Sequence, residues 1–263
     1  EFYRNQIKEI VKTASDKHGF IDWHNMKYLI RALESLVEKL ESYKLSNNFQ
    51  QAFFLSSVLL EEMTKAFDFA DDSNGDIGYF VDTALEALHD IVSSDNLDAT
   101  LKKEIFEYCI QVYNKKLFLG WDWHLGILEV AEKLAKNETD VDLLISCLNK
   151  TESDYQRERA QMSILRLLHQ YKTQKEVSQF IEANLSNSRI RKMEIQKAIE
   201  DKNFEYAKKL CKDGIEIDQK EKPGLATDWY RWLLKIAQAE NEVSEIIKQA
   251  TYLFVNDSRS DED

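Results

Sequence analysis

The stretch of this sequence that most suggests chemistry is the acidic turn at 71–78, which reads DDSNGDIG. Closely spaced carboxylates suggest calcium, because calcium-binding loops present oxygen ligands at fixed positions around a central glycine. The spacing does not fit: with Gly75 at loop position six, positions one and twelve fall on Ala70 and Val81, which have no carboxylate. The sequence therefore predicts a capped turn between two helices.

Other residue types that support catalysis or metal binding lack the required spacing. No two of the five histidines stand four residues apart, and no Cys-x-x-Cys pair occurs, so a local zinc site is not predicted. Phosphate-binding glycine loops and the G-x-S-x-G nucleophile turn are also absent from the sequence. We predict no catalytic residue, no metal and no cofactor. An enzyme with a pocket of dispersed Asp, Glu and His is an alternative, because one sequence cannot show a buried carboxylate pair.

A group of basic residues in the C-terminal half is the charge feature best suited to binding. Its members are Arg157, Arg159, Arg166, Arg189, Arg191 and Lys192. Glutamates are interspersed among them, so one interpretation is a set of exposed helices that carry ion pairs. The other interpretation is a site for an anionic partner.

Charge is distributed unevenly along the chain. The whole sequence has 35 basic and 47 acidic residues, a net charge of −12. Residues 1–150 hold 16 basic and 26 acidic residues, whereas residues 151–263 hold 19 and 21. Nonspecific binding of nucleic acid depends on neutralising phosphates, so the N-terminal part is unsuited to it. The nearly neutral C-terminal part is the better candidate for an anionic partner.

The elements that must position these residues are helices. The chain has one proline and seven glycines, and sheets joined by tight turns require many of both. Apolar residues recur at helical spacing, as in the row Leu29, Leu33, Leu36 and Leu40. We predict about thirteen helices, at 1–17, 23–45, 48–70, 77–94, 97–116, 122–136, 139–149, 154–171, 174–185, 188–199, 203–213, 226–238 and 241–255.

The cysteines and the lengths of the apolar runs indicate the cellular compartment. Cys109, Cys147 and Cys211 stand far apart in apolar helical rows, and each is predicted to be a small buried hydrophobic residue. An odd, scattered count is typical of a reducing compartment. No apolar run approaches the roughly 18 residues of a membrane helix. The sequence therefore predicts a cytoplasmic protein with no membrane partner.

The dipeptide Asp-Trp occurs three times before an apolar helical row, at Asp22, Asp122 and Asp228. Aspartate caps helix N-termini by accepting hydrogen bonds from the free amides of the first turn. The tryptophan that follows would supply a large apolar surface at the helix entrance. The alternative interpretation is that these tryptophans form an aromatic cradle for a ligand.

Short similar segments indicate helical-hairpin repeats. The recurring segments are N-F-x-x-A at 48–52 and 203–207, and E-V-S followed by x, an apolar residue and Ile at 176–181 and 242–247. Aligning Val177, Ala207 and Val243 gives spacings of 30 and 36 residues, close to the tetratricopeptide period of about 34. The segments resemble a degenerate tetratricopeptide array, which implies a superhelix of helix pairs.

Two further stretches resemble the helical region that follows the zinc finger in bacterial SWIM proteins. They are FADDSNGDIG at 69–78 and GWDW at 120–123, and the resemblance extends over residues 20–215. It implies that the chain is a C-terminal helical part of a larger protein whose zinc finger lies before it. The finger's own ligands are missing here, so the resemblance assigns no zinc function to this chain.

These observations together predict an all-α, tetratricopeptide-like α-α superhelix. Residues 1–150 form an acidic helical-hairpin region, residues 151–255 form repeats continuous with it, and residues 256–263 form a disordered acidic tail. The predicted function is a non-catalytic scaffold that binds a protein or peptide, with DNA reached only through the larger protein. The alternative is a nucleic-acid-associated accessory region of a SWIM-type protein.

Overall fold

The computed structural model describes residues 1–151 and 153–256, and this part of the chain forms thirteen α-helices and no β-strand. They are α1 (Phe2–Ala14), α2 (Trp23–Leu45), α3 (Phe49–Ala66), α4 (Asp76–Val92), α5 (Ala99–Asn114), α6 (Trp123–Glu132), α7 (Glu138–Leu148), α8 (Asp154–Tyr171), α9 (Gln174–Ala183), α10 (Ser188–Glu200), α11 (Phe204–Asp218), α12 (Pro223–Glu240) and α13 (Val243–Asn256). The predicted all-α class and helix number are confirmed. None of these helices is long and apolar enough to cross a membrane.

The chain divides into two compact units, Glu1–Ser163 and Ile164–Asp263. The boundary falls within α8, whereas the division predicted from charge and repetition lies before that helix, after Lys150. Of the predicted tail 256–263, Asn256 ends α13 and the other residues lie outside the described part.

In the first unit, α3 is the most deeply buried element. It packs against α1, α2 and α4, and α6 contacts α4, α5 and α7. Leu55 and Leu60 are both fully buried although they lie on different sides of α3. A helix that is apolar on most of its circumference must be covered from several directions. This is why α1 and α2 both lie against α3.

The second unit packs helices in sequence order, with α10 against α11, α11 against α12 and α12 against α13. Val177 and Ala207 are each the fourth residue after a capping residue, and both are buried. Val243 instead begins α13 and is 66% exposed. The proposed equivalence of these three positions therefore fails at Val243, and the tetratricopeptide-like superhelix stays a prediction.

The Asp-Trp dipeptides do not all open helices. Asp22 caps α2 and accepts a hydrogen bond from the Asn25 amide at 2.8 Å, and Asp122 precedes α6 without a capping bond from its side chain. Asp228 lies inside α12, so the prediction that it opens a helix is wrong. The helix begins earlier because Pro223 stands at its first position, where the fixed φ of proline favours helix initiation.

The acidic turn joins α3 to α4. The Asp72 carboxylate accepts hydrogen bonds from the Ile77 and Gly78 amides at 2.6 and 3.4 Å, inside the first turn of α4. Gly75 adopts a left-handed conformation, with φ of 76°, which glycine reaches without the steric cost of a Cβ atom. The predicted capped turn between two helices is confirmed.

The three cysteines are free and buried, as predicted. Burial raises the pKa of the Cys211 thiol to about 12 and raises that of Cys109 as well. A thiol with a raised pKa is a poor nucleophile at neutral pH because the reactive form is the thiolate. These cysteines therefore act as packing residues.

Gly214 marks the tightest approach between helices in the second unit. A Cβ atom built on Gly214 would stand 2.8 Å from Cε2 of Trp229 and 2.9 Å from Nη1 of Arg191. These two side chains come from α12 and α10, so Gly214 of α11 lets three helices meet at one point.

We expect Gly214→Ala to lower the free energy of unfolding by about 1–3 kcal/mol, because overpacking outweighs the better helix propensity of alanine. Gly224→Ala on α12 is the matched control, since a Cβ atom there has nothing within 4 Å. Urea unfolding followed by circular dichroism measures both variants. A Gly214→Ala protein as stable as the control would contradict the close approach.

Candidate functional site

The six predicted basic residues are divided between the two units. They are Arg157 and Arg159 in the first unit, and Arg166, Arg189, Arg191 and Lys192 in the second. Most are already engaged with residues of the chain: Arg157 and Arg166 both have interaction partners. These contacts favour the interpretation as helices that carry ion pairs. Binding of an anionic partner by the exposed members stays a prediction.

Two of these residues form well-defined ion pairs. Arg159 donates from Nε and Nη2 to the two carboxylate oxygens of Glu129, at 2.7 and 2.6 Å. The Lys192 ammonium donates to the carboxylate of Asp228 at 3.1 Å. Asp228 therefore serves as an ion-pair partner within α12 and not as a helix cap. A bidentate arginine pair is geometrically specific, so Arg159 is held in place and is not presented to a ligand.

Arg191 is part of the core. It is 1% exposed, and its Nη1 lies 3.8 Å from Oδ2 of Asp218. The same carboxylate oxygen accepts a hydrogen bond from the Trp229 indole at 2.7 Å, and the guanidinium lies 5.3 Å from the Trp229 ring centroid. Burial lowers the pKa of Arg191 against the opposing effect of Asp218. Arg191 therefore cannot contact a partner at the surface, and it links α10, α11 and α12 instead.

A groove of about 750 Å³ opens on the first unit between α1, α3 and α5. Its floor is apolar: Phe53 and Val58 are buried, and Phe54 is 39% exposed. The Tyr108 ring meets Phe53 edge-on at 5.4 Å, and its hydroxyl donates to the Ser57 carbonyl at 3.2 Å. Contacts between α3 and α5 thus fix the floor, and Phe54 remains accessible.

Carboxylates stand around this floor, and we call the whole the acidic aromatic groove. Glu104 and Glu107 lie on the exposed side of α5, and Glu61 lies on α3. Glu104 accepts a hydrogen bond from the Gln50 amide at 3.3 Å, and Glu107 is 3.7 Å from the Lys103 ammonium. Such exposed pairs contribute little, so the rim keeps its negative charge.

Arg4 fastens α1 to α3 at the edge of the groove. Its guanidinium donates to Glu61 at 2.9 Å and also to Glu62. Burial would lower the pKa of Arg4, but the hydrogen bonds to Glu61 and Glu62 raise it. Arg4 and Lys65, whose ammonium lies 2.9 Å from Glu62, together balance the two carboxylates on the α3 side of the rim. On the α5 side, Glu107 pairs with Lys103, and Glu104 has no cationic partner among the described residues.

The carboxyl groups with shifted pKa values do not form an acid–base site. Backbone hydrogen bonds lower the pKa of Asp16, and hydrogen bonds from Thr173 lower that of Glu176. Burial alone would raise the pKa of Asp228, but the interactions with Lys192 and Arg231 outweigh it, so the pKa is lowered overall. These groups stay ionised at neutral pH, whereas a general acid needs a raised pKa.

The tryptophans at the start of α6 stack with one another and do not form an open cradle. Trp121 lies 4.5 Å from Phe67 and 4.8 Å from Trp123, in stacked geometry. The Trp123 indole donates to Asp82 at 2.6 Å. Because the ring faces are used in these contacts, a structural role for this Asp-Trp pair is favoured over a ligand cradle.

Comparisons with known protein families, with curated proteins and with solved structures find no match for this chain. The function must be inferred from the geometry of its own residues, and the resemblance to SWIM proteins stays a prediction.

Sequence patterns did not identify the groove. Glu61, Glu104 and Glu107 belong to none of the motifs or spacings that the sequence shows. One signal was present: Phe53, Phe54 and Leu55 follow one another in a helix whose circumference is mostly apolar. A run of this kind indicates that α3 has more apolar surface than the neighbouring helices cover.

Replacing Asp218 by Asn keeps an acceptor for the Trp229 indole but removes the charge that faces the Arg191 guanidinium. We expect the free energy of unfolding to fall by about 3 kcal/mol, because breaking a buried ion pair leaves an uncompensated charge. Urea unfolding measures the loss.

The double variant Arg191→Met/Asp218→Asn provides the comparison. Methionine removes the stranded charge and keeps a long apolar side chain, so the double variant should be more stable than Asp218→Asn alone. A double variant less stable than the single one would show that Asp218 does not act through Arg191.

Proposed function

We propose that this chain is a non-catalytic helical scaffold that binds a basic, amphipathic peptide segment of a partner protein in the acidic aromatic groove. The observation that carries the proposal is the combination of the accessible Phe54 ring with exposed carboxylates on the α5 side of the groove. Phe54 provides the apolar contact, and Glu104 and Glu107 provide the charge.

The size and shape of the groove support a peptide ligand. Its volume of about 750 Å³ accommodates a few side chains rather than a folded surface, within the usual range for pockets of about 300–1,000 Å³. Amphipathic helices bind grooves through apolar anchors spaced along one face. A groove between helices that contains an accessible aromatic ring suits this mode of binding.

Charge supports a basic ligand. Residues 1–150 carry a net charge of −10, from 16 basic and 26 acidic residues. Complementary charge steers association and excludes partners of the same sign. An acidic partner or a nucleic acid would meet repulsion at this groove, whereas lysine or arginine side chains would pair with the α5 rim.

The test uses a fluorescently labelled amphipathic peptide of leucine and lysine, with a leucine–glutamate peptide of the same pattern as its counterpart. We expect saturable binding of the basic peptide by fluorescence anisotropy. Glu104→Gln/Glu107→Gln should weaken binding about threefold to tenfold, because each rim charge contributes up to about 1 kcal/mol. Phe54→Ser should weaken it as well by removing the apolar anchor.

Glu34→Gln/Glu38→Gln is the matched control, since both residues are exposed on α2 and do not line the groove. This variant changes the net charge equally and should bind the peptide as the unaltered protein does. Equal weakening by the two double variants would show that only overall charge attracts the peptide. Binding of the leucine–glutamate peptide with the same affinity would also refute the proposal.

A further inference from the structure

Helix α13 in the second unit exposes a stripe of apolar side chains. Val243, Ile247 and Phe254 are 66%, 61% and 82% exposed, and Ala250 between them is also exposed. Their spacings along the chain are four, three and four residues. At 3.6 residues per turn, this spacing places all four side chains within about 60° of the helix circumference. We call these four residues the α13 stripe.

The α13 stripe is not the face by which the helix joins its own unit. That face holds Gln249 and Leu253, which are buried, and Ile246, which is half-buried. It lies about a quarter of a turn around the helix from the stripe, and the helix with which α13 has extensive contacts is α12. One face of α13 is therefore used inside the unit, and a second apolar face remains exposed to solvent.

An exposed apolar face of this kind is unusual. A helix that packs on a single neighbour ordinarily presents polar residues on the rest of its circumference, and the end of a helical array needs a polar outer surface to stay soluble. Single exposed apolar residues are common on protein surfaces, whereas contiguous ones mark an interaction site. The alignment of four such residues on α13 therefore indicates a surface that another molecule covers.

The spacing indicates that the covering element is a helix. Spacings of four, three and four residues are those of the a and d positions of a heptad, whose side chains insert between the side chains of a facing helix. The α13 stripe has this pattern over its whole length, from Val243 to Phe254. A facing helix with the same spacing matches it residue by residue.

The charges of α13 indicate that the facing helix is also uncharged along its contact. Glu245 and Lys248 are the charged residues of α13, and their charged groups pair with one another at 3.1 Å. Both lie more than about 90° around the helix from the stripe. Residues 164–263 hold 17 basic and 18 acidic residues, so the second unit carries too little net charge to repel a copy of itself.

We propose that two copies of this chain associate through the α13 stripe, with the two α13 helices antiparallel about a two-fold axis. In this register Val243 faces Phe254 of the second copy, and Ile247 faces Ala250 of the second copy. Each larger side chain then meets a smaller one, as close packing requires. A parallel arrangement would set Ala250 against Ala250 and leave a gap. A two-fold axis uses the same patch on both chains.

The area of the α13 stripe is sufficient for a weak dimer. An aromatic side chain alone buries about 150–250 Å², and most of the Phe254 surface is available because the residue is 82% exposed. Together with the three aliphatic residues, two copies would bury about 1,000 Å² in total, which is the lower limit for a specific interface. We therefore expect dissociation in the micromolar range.

Sedimentation velocity and light scattering over a series of protein concentrations test the proposal. The measured mass should rise from that of one chain toward that of two as the concentration passes through the micromolar range. Ile247→Glu should weaken association at least about tenfold, because it places an unpaired carboxylate in the interface. The side chain of Ile247 is exposed in the single chain, so circular dichroism should show an unchanged fold.

Ile217→Glu is the matched control. Ile217 is 52% exposed and lies on α11 of the same unit. The control makes the same chemical change and alters the net charge equally. It should leave the dissociation constant unchanged within a factor of about two, as expected for a remote surface charge.

A mixture of Ile247→Glu chains and Ala250→Lys chains tests the antiparallel register. Each variant alone should be mainly monomeric, because the introduced charge has no partner in the interface. In the mixture, the introduced carboxylate of one chain faces the introduced ammonium of the other, so the mass should again approach that of two chains.

Four results would overturn the proposal. They are a monomer at every concentration, association that Ile247→Glu leaves unchanged, equal weakening by Ile217→Glu, and a mixture of the two charged variants that stays monomeric. The α13 stripe and the acidic aromatic groove share no residue. Failure of the dimer therefore leaves the proposal of peptide binding standing.

Discussion

Each helix of this chain is held in place chiefly by the apolar side chains that it buries against other helices. The row Leu29, Leu33, Leu36 and Leu40 on α2 is buried, and a side chain of this size contributes about 1.5–3 kcal/mol relative to its exposed state. A helix satisfies its own backbone hydrogen bonds internally, so only side chains decide where it packs. Charged side chains are consequently left to helix ends and outer faces. The carboxylates of the acidic aromatic groove occupy such positions.

The second unit contains the main exception to this rule. Arg191 brings a full charge into a core that also holds Trp229, Ile195 and Cys211. Asp218 balances that charge and also accepts the indole hydrogen bond. A buried ion pair adds little net stability compared with apolar residues of similar volume, but it penalises arrangements in which either partner is unmatched. The cluster therefore specifies how α10, α11 and α12 align more than it strengthens their association.

Helix type and helix position could be predicted from local patterns, and the acidic aromatic groove could not. The predicted helix at 154–171 matches α8 in both bounds, because its periodic row is followed by a capping box at Thr173. The helix predicted at 226–238 began too late, because α12 already begins at Pro223, whose fixed φ favours helix initiation. The acidic aromatic groove joins Arg4, Glu61 and Glu104 across long stretches of chain. No local periodicity encodes such a meeting, since it depends on how helices pack in three dimensions.

The order in which the helices pack also governs how the chain acquires its structure. In the described part, extensive contacts join only helices that are consecutive or separated by one other helix. Native contacts therefore close short loops, and chains of low contact order fold in about microseconds to milliseconds. Synthesis delivers residues far more slowly than this, at about 5–20 per second. The first unit can therefore form its core on the ribosome before the second has been translated, and the acidic aromatic groove, which lies wholly within the first unit, can form with it.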